Sequence, residues 1–417
     1  MAAEERRRLA EESGRPDDWD RPSEEELALE AADEEAADVE ADELEVSRFQ
    51  ALLQDRRKIV SGIVLVLLLV VAIYVLFPKI VGADEAVSNL DEAKWYWVLV
   101  AIGFNVLAFG AYVMLFRGIL GGTREDEVHR RLDLRASYQI TMAGLAATRI
   151  FSAAGAGGLV LTYWALRKAG MPRRRAACRM VAFLVLTYFV YAVALVIFGV
   201  LLRTGVLPGR APLAGTVVPA AVSGGLMILF GLIALIPQDF ERRIQHYAGG
   251  YRRVRYLERV AKGPATLSTG VRTALAYLRH PSRGLLAVGG AVGFWAANIG
   301  VLWASFEAFG GHVPFAVLVQ GFFVGMAANL IPSPAGGVGS VDAGMIAAFL
   351  LFDIPSEVVF PAVLCYRVIA FWLPIPPGIV AYFQLRHTVS EWERERADGV
   401  RAGVYTSQSK VRPAEVR

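Results

Sequence analysis

Long apolar stretches separated by short charged ones set the pattern of the chain from residue 59 onward. Ile59–Phe77, Trp95–Phe116, Val181–Leu202, Pro212–Ile236, Leu285–Phe306 and Val358–Leu385 are each long enough to cross a bilayer as a helix. Two further apolar stretches are interrupted. Ser137–Leu166 is broken at Ser152–Gly158, and His312–Phe352 is broken at Ile331-Pro-Ser-Pro-Ala-Gly-Gly-Val-Gly-Ser-Val-Asp342. Irregular backbone at membrane depth is tolerated only where protein buries it or where it lines a polar cavity. The pattern predicts an all-α polytopic membrane protein with about six full transmembrane helices and two re-entrant broken hairpins.

The charges between the apolar stretches orient them. Arg56-Arg57-Lys58 precedes the first span and places the N-terminus in the cytoplasm. The first broken stretch lies between Arg130-Arg131 and Arg167-Lys168 with Arg173-Arg-Arg175, so it is expected to begin and end inside. The second has Asp353 and Glu357 at its far end, and no basic residue lies between Phe306 and Cys365, so it is expected to begin and end outside. Residues 1–55 read as an acidic cytoplasmic tail, disordered by composition and without the layout of a cleaved signal peptide. Residues 56–386 form the transmembrane domain, and 387–417 a second cytoplasmic tail. Within the domain, the basic loop 238–283 is cytoplasmic, with an interfacial helix around Tyr251–Ala261. Gly289, Gly293 and Ala297 have the four-residue spacing that lets helices approach closely. Both termini inside, in a multi-pass protein of the cell membrane, is the resulting expectation.

The two breaks resemble one another. With an offset of 181, Gly144-Leu-Ala-Ala-Thr-Arg-Ile-Phe-Ser-Ala-Ala-Gly-Ala-Gly-Gly158 overlies Gly325-Met-Ala-Ala-Asn-Leu-Ile-Pro-Ser-Pro-Ala-Gly-Gly-Val-Gly339, identical at eight of fifteen positions. The repeat halves run about 136–203 and 313–385. Three crossings separate them, an odd number, so the copies are expected to have opposite orientation. Inverted repeats of discontinuous segments are a transporter signature.

Composition narrows the class further. A chain of 417 residues that is 55% hydrophobic, with mean hydropathy +0.43, is too apolar for an ordinary soluble protein. The net charge of +3 conceals a split. Residues 1–50 carry 19 acids and 6 Arg, and the remainder carries 37 Lys+Arg and 21 acids. Arg outnumbers Lys 37 to 6, which suits phosphate recognition and which a GC-rich genome also produces. Cys178 and Cys365 carry neither a disulfide framework nor metal-ligand spacing. The five histidines lie in loops or at helix ends, so Ser340 lacks the nearby base a nucleophile requires. The glycine-rich breaks lack the Gly-Lys-Ser/Thr ending of a nucleotide loop. No catalytic residue, metal, cofactor or nucleic-acid partner is expected.

The candidate chemistry lies at the breaks and in the last span. Gly336, Gly337 and Gly339 permit positive φ and close backbone approach, either to present N–H groups to a phosphate or to make a tight buried turn. Ser340 reads as a helix cap or a ligand contact. Asp342 reads as complement to the helix dipole, binder of a cationic headgroup or a proton, or partner of an Arg. Arg367 lies about ten residues inside an apolar helix, where a charge costs on the order of 2.5–3.5 kcal/mol, so it faces either an anionic headgroup or Asp342. Arg149 in the first hairpin follows the same logic, with snorkelling to an interface as the alternative. Asn329 serves either freed backbone groups or a ligand. Pro332, Pro334, Gly155, Gly157 and Gly158 are the expected helix-break positions.

Pro332-Ser-Pro-Ala-Gly-Gly-Val-Gly-Ser-Val-Asp342, followed by Tyr366-Arg367 and Phe371-Trp-Leu-Pro374, resembles the signature of the flippase-like membrane family. That family is related to the N-terminal membrane half of bacterial lysylphosphatidylglycerol synthase, the multiple peptide resistance factor. The resemblance covers about Ile59 to Arg386. It implies a lipid-handling membrane protein that moves a phospholipid or other lipid-phosphate between leaflets, with membrane lipids of anionic or phosphate-bearing headgroup as partners. The synthase's soluble aminoacyl-transferase domain has no counterpart in the residues after Arg386, so lipid aminoacylation is not implied and the chain is not expected to be an enzyme. The acid after the glycine break is often Glu in the family and is Asp342 here, and the first hairpin has Phe151 and Ala153 where the second has prolines. Two other readings stand beside the translocase. One is a membrane partner that presents lipid to a separate transferase, with the acidic tail as docking arm. The other is an intramembrane enzyme.

Overall fold

A computed structural model describes residues 94–121, 127–150, 156–234, 270–274, 281–330 and 337–401, and every regular element among them is helical. The predicted first span Ile59–Phe77, the interfacial helix at Tyr251–Ala261 and both tails up to residue 93 and after 401 lie outside these residues. Four described helices are long and apolar enough to cross a membrane: Trp95–Leu120, Arg175–Arg203, Gly284–Ala308 and Ser356–Arg396. They correspond to four of the predicted crossings. The predicted Pro212–Ile236 crossing appears as an 18-residue helix, Val217–Ala234. At 1.5 Å per residue it spans about 27 Å.

Helices α1 (Trp95–Leu120) and α7 (Pro281–Ala308) run antiparallel along their whole length. The amide of Lys94 donates to Ala308 at one end, at 2.9 Å. Near the other end, a side chain at Gly118 would come within 2.8 Å of the Ala287 amide. Between lipid-facing helices there is no hydrophobic gain from association, so the approach depends on small residues and close van der Waals contact. Gly290 supplies it, since a Cβ there would sit 2.5 Å from the Leu115 nitrogen, and Gly293 faces Ala111. Gly289, expected in the stripe, has open space around it. The helical register turns Gly290, one residue on, toward α1.

Two helical hairpins follow the helices of this pair in the chain. The first consists of α3 (Leu134–Ile150) and α4 (Ala156–Lys168), preceded by the short α2 (Glu127–Arg131). Asp133 Oδ1 caps α3 by accepting from the Ala136 amide at 2.7 Å. At the far end of α4, Gly170 at φ 98° closes a turn in which its amide donates to Arg167 and that of Met171 donates to Leu166, and Pro172 ends the helix. The hairpin closes tightly because Gly158 faces Gly144. A side chain at Gly158 would run into Thr148 Oγ1 and the Gly144 carbonyl. Gly157 and Gly158, expected as break positions, lie in the first turn of α4, and Gly158 acts there as a packing residue. Gly155 falls outside the described residues.

The second hairpin consists of α8 (Phe315–Met326), extended by a 3₁₀ turn over Ala327–Leu330, and α9 (Ser340–Leu351). Its crossing point is Gly325, where a Cβ would come within 2.6 Å of Met345 Cα. It ends as the first one does. Asp353, at φ 59°, donates its amide to Leu350, the Ile354 amide donates to Phe349, and Pro355 follows. Between the hairpins, α5 (Arg173–Arg203) is a 31-residue helix, about 46 Å long, leading through a loop to α6 (Val217–Ala234). The first hairpin ends at the start of α5. Ala316, Val317 and Phe352, from both ends of the second hairpin, cluster with Leu202 at the end of α5.

The last span is discontinuous. Helix α10 (Ser356–Arg367) passes into a π-helical turn over Val368–Trp372 and then into α11 (Ile375–Arg401). Helix α11 packs along α3, where a Cβ at Gly378 would lie 2.7 Å from the Met142 carbonyl. Thr388 donates to the buried Gln139, Lys168 pairs with Glu393 at 2.6 Å, and Arg396 donates to the Lys168 carbonyl. The second hairpin packs instead on α5 and α7, in a core of Phe322, Phe323, Phe349, Trp295 and Tyr366.

Candidate functional site

The π turn fixes where the site forms. Leu373 donates its amide to Val368, five residues back, at 2.9 Å, which removes the α-helical donor from the Ile369 carbonyl. Pro374 has no N–H, so neither Ile369 nor Ala370 can be served from that position. Pro376 has no N–H either, so the Ile375 amide is the one nearby backbone donor left for Ala370 and Phe371. At least two of three adjacent carbonyls inside an apolar span thus need other donors, because an unpaired buried carbonyl costs about 1–3 kcal/mol. Asn105 Nδ2 on α1 donates to Ile369 at 2.9 Å. Arg149, at the tip of the first hairpin, donates Nη2 to Ala370 at 2.9 Å and Nη1 to Phe371 at 2.5 Å.

The tip of the second hairpin arrives at the same turn. Gly337 and Gly339 have φ of 91° and 86°, the left-handed values expected of them, and Gly339 leads directly into α9. The Gly339 amide donates to Asp342 Oδ2 at 2.8 Å, so the acid caps its own helix. Asp342 Oδ1 accepts from Arg367 Nε at 2.6 Å, and Arg367 Nη2 donates to the Gly337 carbonyl at 3.2 Å. Both side chains of this pair are buried, at 6% and 8% exposure. Arg367 thus has Asp342 as a partner, one of its two expected readings, and Asp342 serves as both cap and counter-ion.

The two arginines converge on one ring. The Arg367 guanidinium carbon lies 4.4 Å and that of Arg149 4.9 Å from the centroid of Phe371. Such contacts stabilise each cation by about 0.5–2 kcal/mol. Arg149 also lies within electrostatic reach of Arg367, Tyr366 and Tyr112. Among the described residues, two guanidinium groups share the site with a single carboxylate, an excess of one positive charge.

The other expected residues divide. Ser340 is the first residue of α9 and Gly339 holds the cap position, because the positive φ of the turn falls one residue earlier. Its hydroxyl lies 3.5 Å from the Gly337 carbonyl, a long contact. Asn329 lies in the 3₁₀ turn and is exposed, and its Oδ1 would touch a side chain placed on Gly337. Gly336, Pro332 and Pro334 lie outside the described residues. Asn105, Tyr112 and Phe371 belong to the site, although nothing in the sequence reading singled out their roles. A lone Asn in the otherwise apolar Trp95–Phe116 stretch was the available signal for the first.

A helical integral membrane protein whose two broken hairpins meet at a buried cationic turn is the class these elements define. The chain belongs to the family described as the lysylphosphatidylglycerol synthase TM region, whose model matches residues 59–378. A UPF0104 membrane protein from Methanothermobacter thermautotrophicus is 23% identical over 344 residues, covering 79% of this chain and 97% of that one. No solved structure gives a significant match. The family links the chain to membrane lipid handling.

Proposed function

We propose that the protein is a lipid translocase, moving a phospholipid or other lipid-phosphate between the leaflets of the cell membrane, and that it performs no catalytic step. The observation that carries this reading is the pair of guanidinium groups, one anchored to each hairpin tip and both over the Phe371 ring, with one carboxylate, Asp342, paired to Arg367. A buried net charge is costly unless an opposite charge joins it, so the site favours an anionic headgroup while the acyl chains remain in the bilayer. Guanidinium forks match phosphate oxygens in geometry as well as charge. The direct experiment is reconstitution with headgroup-labelled anionic phospholipid and an impermeant quencher. Vesicles with protein should lose label from the inner leaflet faster than empty ones. Equal rates across several anionic lipids would overturn the proposal, and binding without exchange would identify a lipid-presenting partner of a separate transferase instead.

The reading includes an inverted repeat of six crossings and two re-entrant hairpins, with both termini cytoplasmic. Several correspondences support it. Leu134 and Phe315, which begin the first helices of the two hairpins, are 181 residues apart. Gly144 and Gly325, at the crossing points, have the same spacing, and so do the fully buried Gln139 and Gln320. The hairpins end at opposite ends of α5. Arg210 in the loop after α5 pairs with Asp353, and Lys168 pairs with Glu393 on α11. Single cysteines at Ala154 and Ala335, in a background without Cys178 and Cys365, should react with impermeant reagent from opposite sides. Reaction from one side only would remove the inverted arrangement.

A further inference from the structure

One stripe of α5 changes character halfway along. Leu202, Leu195 and Tyr188 follow one another at seven-residue intervals and so share a face of the helix. Leu202 is 2% exposed, against Ala316 and Val317 of α8, and Leu195 is 3% exposed, in the core with Leu318 and Phe322. Tyr188 is 53% exposed. It lies fifteen residues from either end of α5. Tyrosine in a membrane helix ordinarily sits near the headgroups, where its hydroxyl reaches water. A half-exposed phenol at the middle of a spanning helix needs polar surroundings of another kind.

The stripe opens because α8 stops there. Along the contact, a Cβ at Gly199 would lie 3.3 Å from Gln320 Nε2, and further on Tyr191 donates to the Phe323 carbonyl at 2.5 Å. Continued in the same register, the antiparallel pairing brings the 3₁₀ turn Ala327–Leu330 to the level of Tyr188. None of the four residues of this turn is buried, and Asn329 and Leu330 are exposed. Toward the start of α5 the stripe is covered again at Val181, where a Cβ at Gly270 would come within 2.4 Å of Cγ1. The gap therefore lies between the end of α8 and Gly270. Exposed irregular backbone at membrane depth is tolerated where it lines a water-filled cavity and not where it faces hydrocarbon. Asn329 also joins the gap to the site. Its Oδ1 would lie 2.7 Å from a Cβ on Gly337, whose carbonyl accepts from Arg367.

We propose that this gap is a water-filled lateral mouth of the hairpin-tip site, flanked by Tyr188 and Asn329. The polar end of a lipid passes through it between the tips and the bilayer, while the acyl chains stay outside. The inference rests on the translocase reading above and adds the route.

The test uses the full chain in vesicles, in a background without Cys178 and Cys365, carrying Tyr188→Cys, Asn329→Cys, Leu107→Cys or Leu226→Cys. Leu107 and Leu226 serve as controls, because both are exposed and lie at the middles of α1 and α6. Neither Tyr188→Cys nor Asn329→Cys opens the core, since both side chains are exposed. A charged methanethiosulfonate reacts with thiolates, which form in water and are suppressed in apolar surroundings, so these two cysteines should react about 100-fold faster than the controls. In the double variant Tyr188→Cys, Asn329→Cys, a short bifunctional thiol reagent should stop exchange of headgroup-labelled phosphatidylglycerol, and reductant should restore it. Labelling at both positions no faster than at the controls overturns the water-filled mouth. Fast labelling with exchange unaffected by the bridge overturns the route and leaves the translocase reading standing. Absence of exchange before bridging removes that reading and the route with it, while the labelling rates still decide whether the water-filled opening exists.

Discussion

Arg367→Ala should lower the stability of the protein by about 3–5 kcal/mol, because it leaves the Asp342 carboxylate buried without its counter-ion. The carboxylate would keep its bond from the Gly339 amide, but the Gly337 carbonyl and Asp342 Oδ1 would both lose their guanidinium donor. Thermal unfolding in detergent measures the loss. The double variant Asp342→Asn, Arg367→Gln removes both charges together and retains groups able to hydrogen-bond, so it should recover most of that stability. It should nevertheless fail to exchange lipid. This separation matters because a single substitution cannot distinguish a collapsed tip from a missing binding group. A melting temperature for Arg367→Ala equal to that of wild type would show that the pair has no structural weight.

Arg149→Met should abolish lipid exchange and also destabilise the last span. Its two guanidinium nitrogens are the side-chain donors to Ala370 and Phe371, near which Pro374 and Pro376 offer no N–H and Ile375 supplies the one intervening amide. Each carbonyl left without a donor costs about 1–3 kcal/mol. Arg149→Lys retains the charge, but a single ammonium cannot fork onto two neighbouring carbonyls, so it should fall between the two in both stability and exchange. Wild-type exchange in Arg149→Met would exclude the residue from the site.

Much of the frame was legible because a bilayer imposes long apolar helices and makes every interruption conspicuous. Four described helices are long and apolar enough to cross a membrane where crossings are expected, and each interrupted stretch has a helix on either side of residues 151–155 or 331–336. Gly337 and Gly339 were legible for a local reason, since a Gly-Gly-Val-Gly turn before a helix invites positive φ. Arg367 stood out as a charge within an apolar stretch, yet its choice between Asp342 and a ligand depended on a tertiary distance that no spacing encodes. Gly158 packs against Gly144 at the start of α4, and glycine that permits a break and glycine that permits close helix packing look alike in sequence. The π turn had its cause in plain view, in Leu373-Pro-Ile-Pro-Pro377. What could not be read was which distant side chains, Asn105 and Arg149, would supply the missing donors.

Arg149 and Arg367 also divide the molecule mechanically. Arg367 fastens the second hairpin to α10, while the first hairpin is fastened to α11 by Gly378 against Met142, Thr388 on Gln139 and Lys168 with Glu393. Two sub-assemblies result, each made of a hairpin and half of the last span, and the chain passes between them through Val368–Pro377. Within that stretch the regular helical bonds are fewest, so it is the softest joint in the span. Arg149 holds this joint at Ala370 and Phe371, beside the Phe371 ring it shares with Arg367. On the proposed translocase reading, an anion that drew either guanidinium away would loosen the hinge at the moment of its own arrival, and occupancy of the site and freedom of the two halves to rock would be set by the same few bonds.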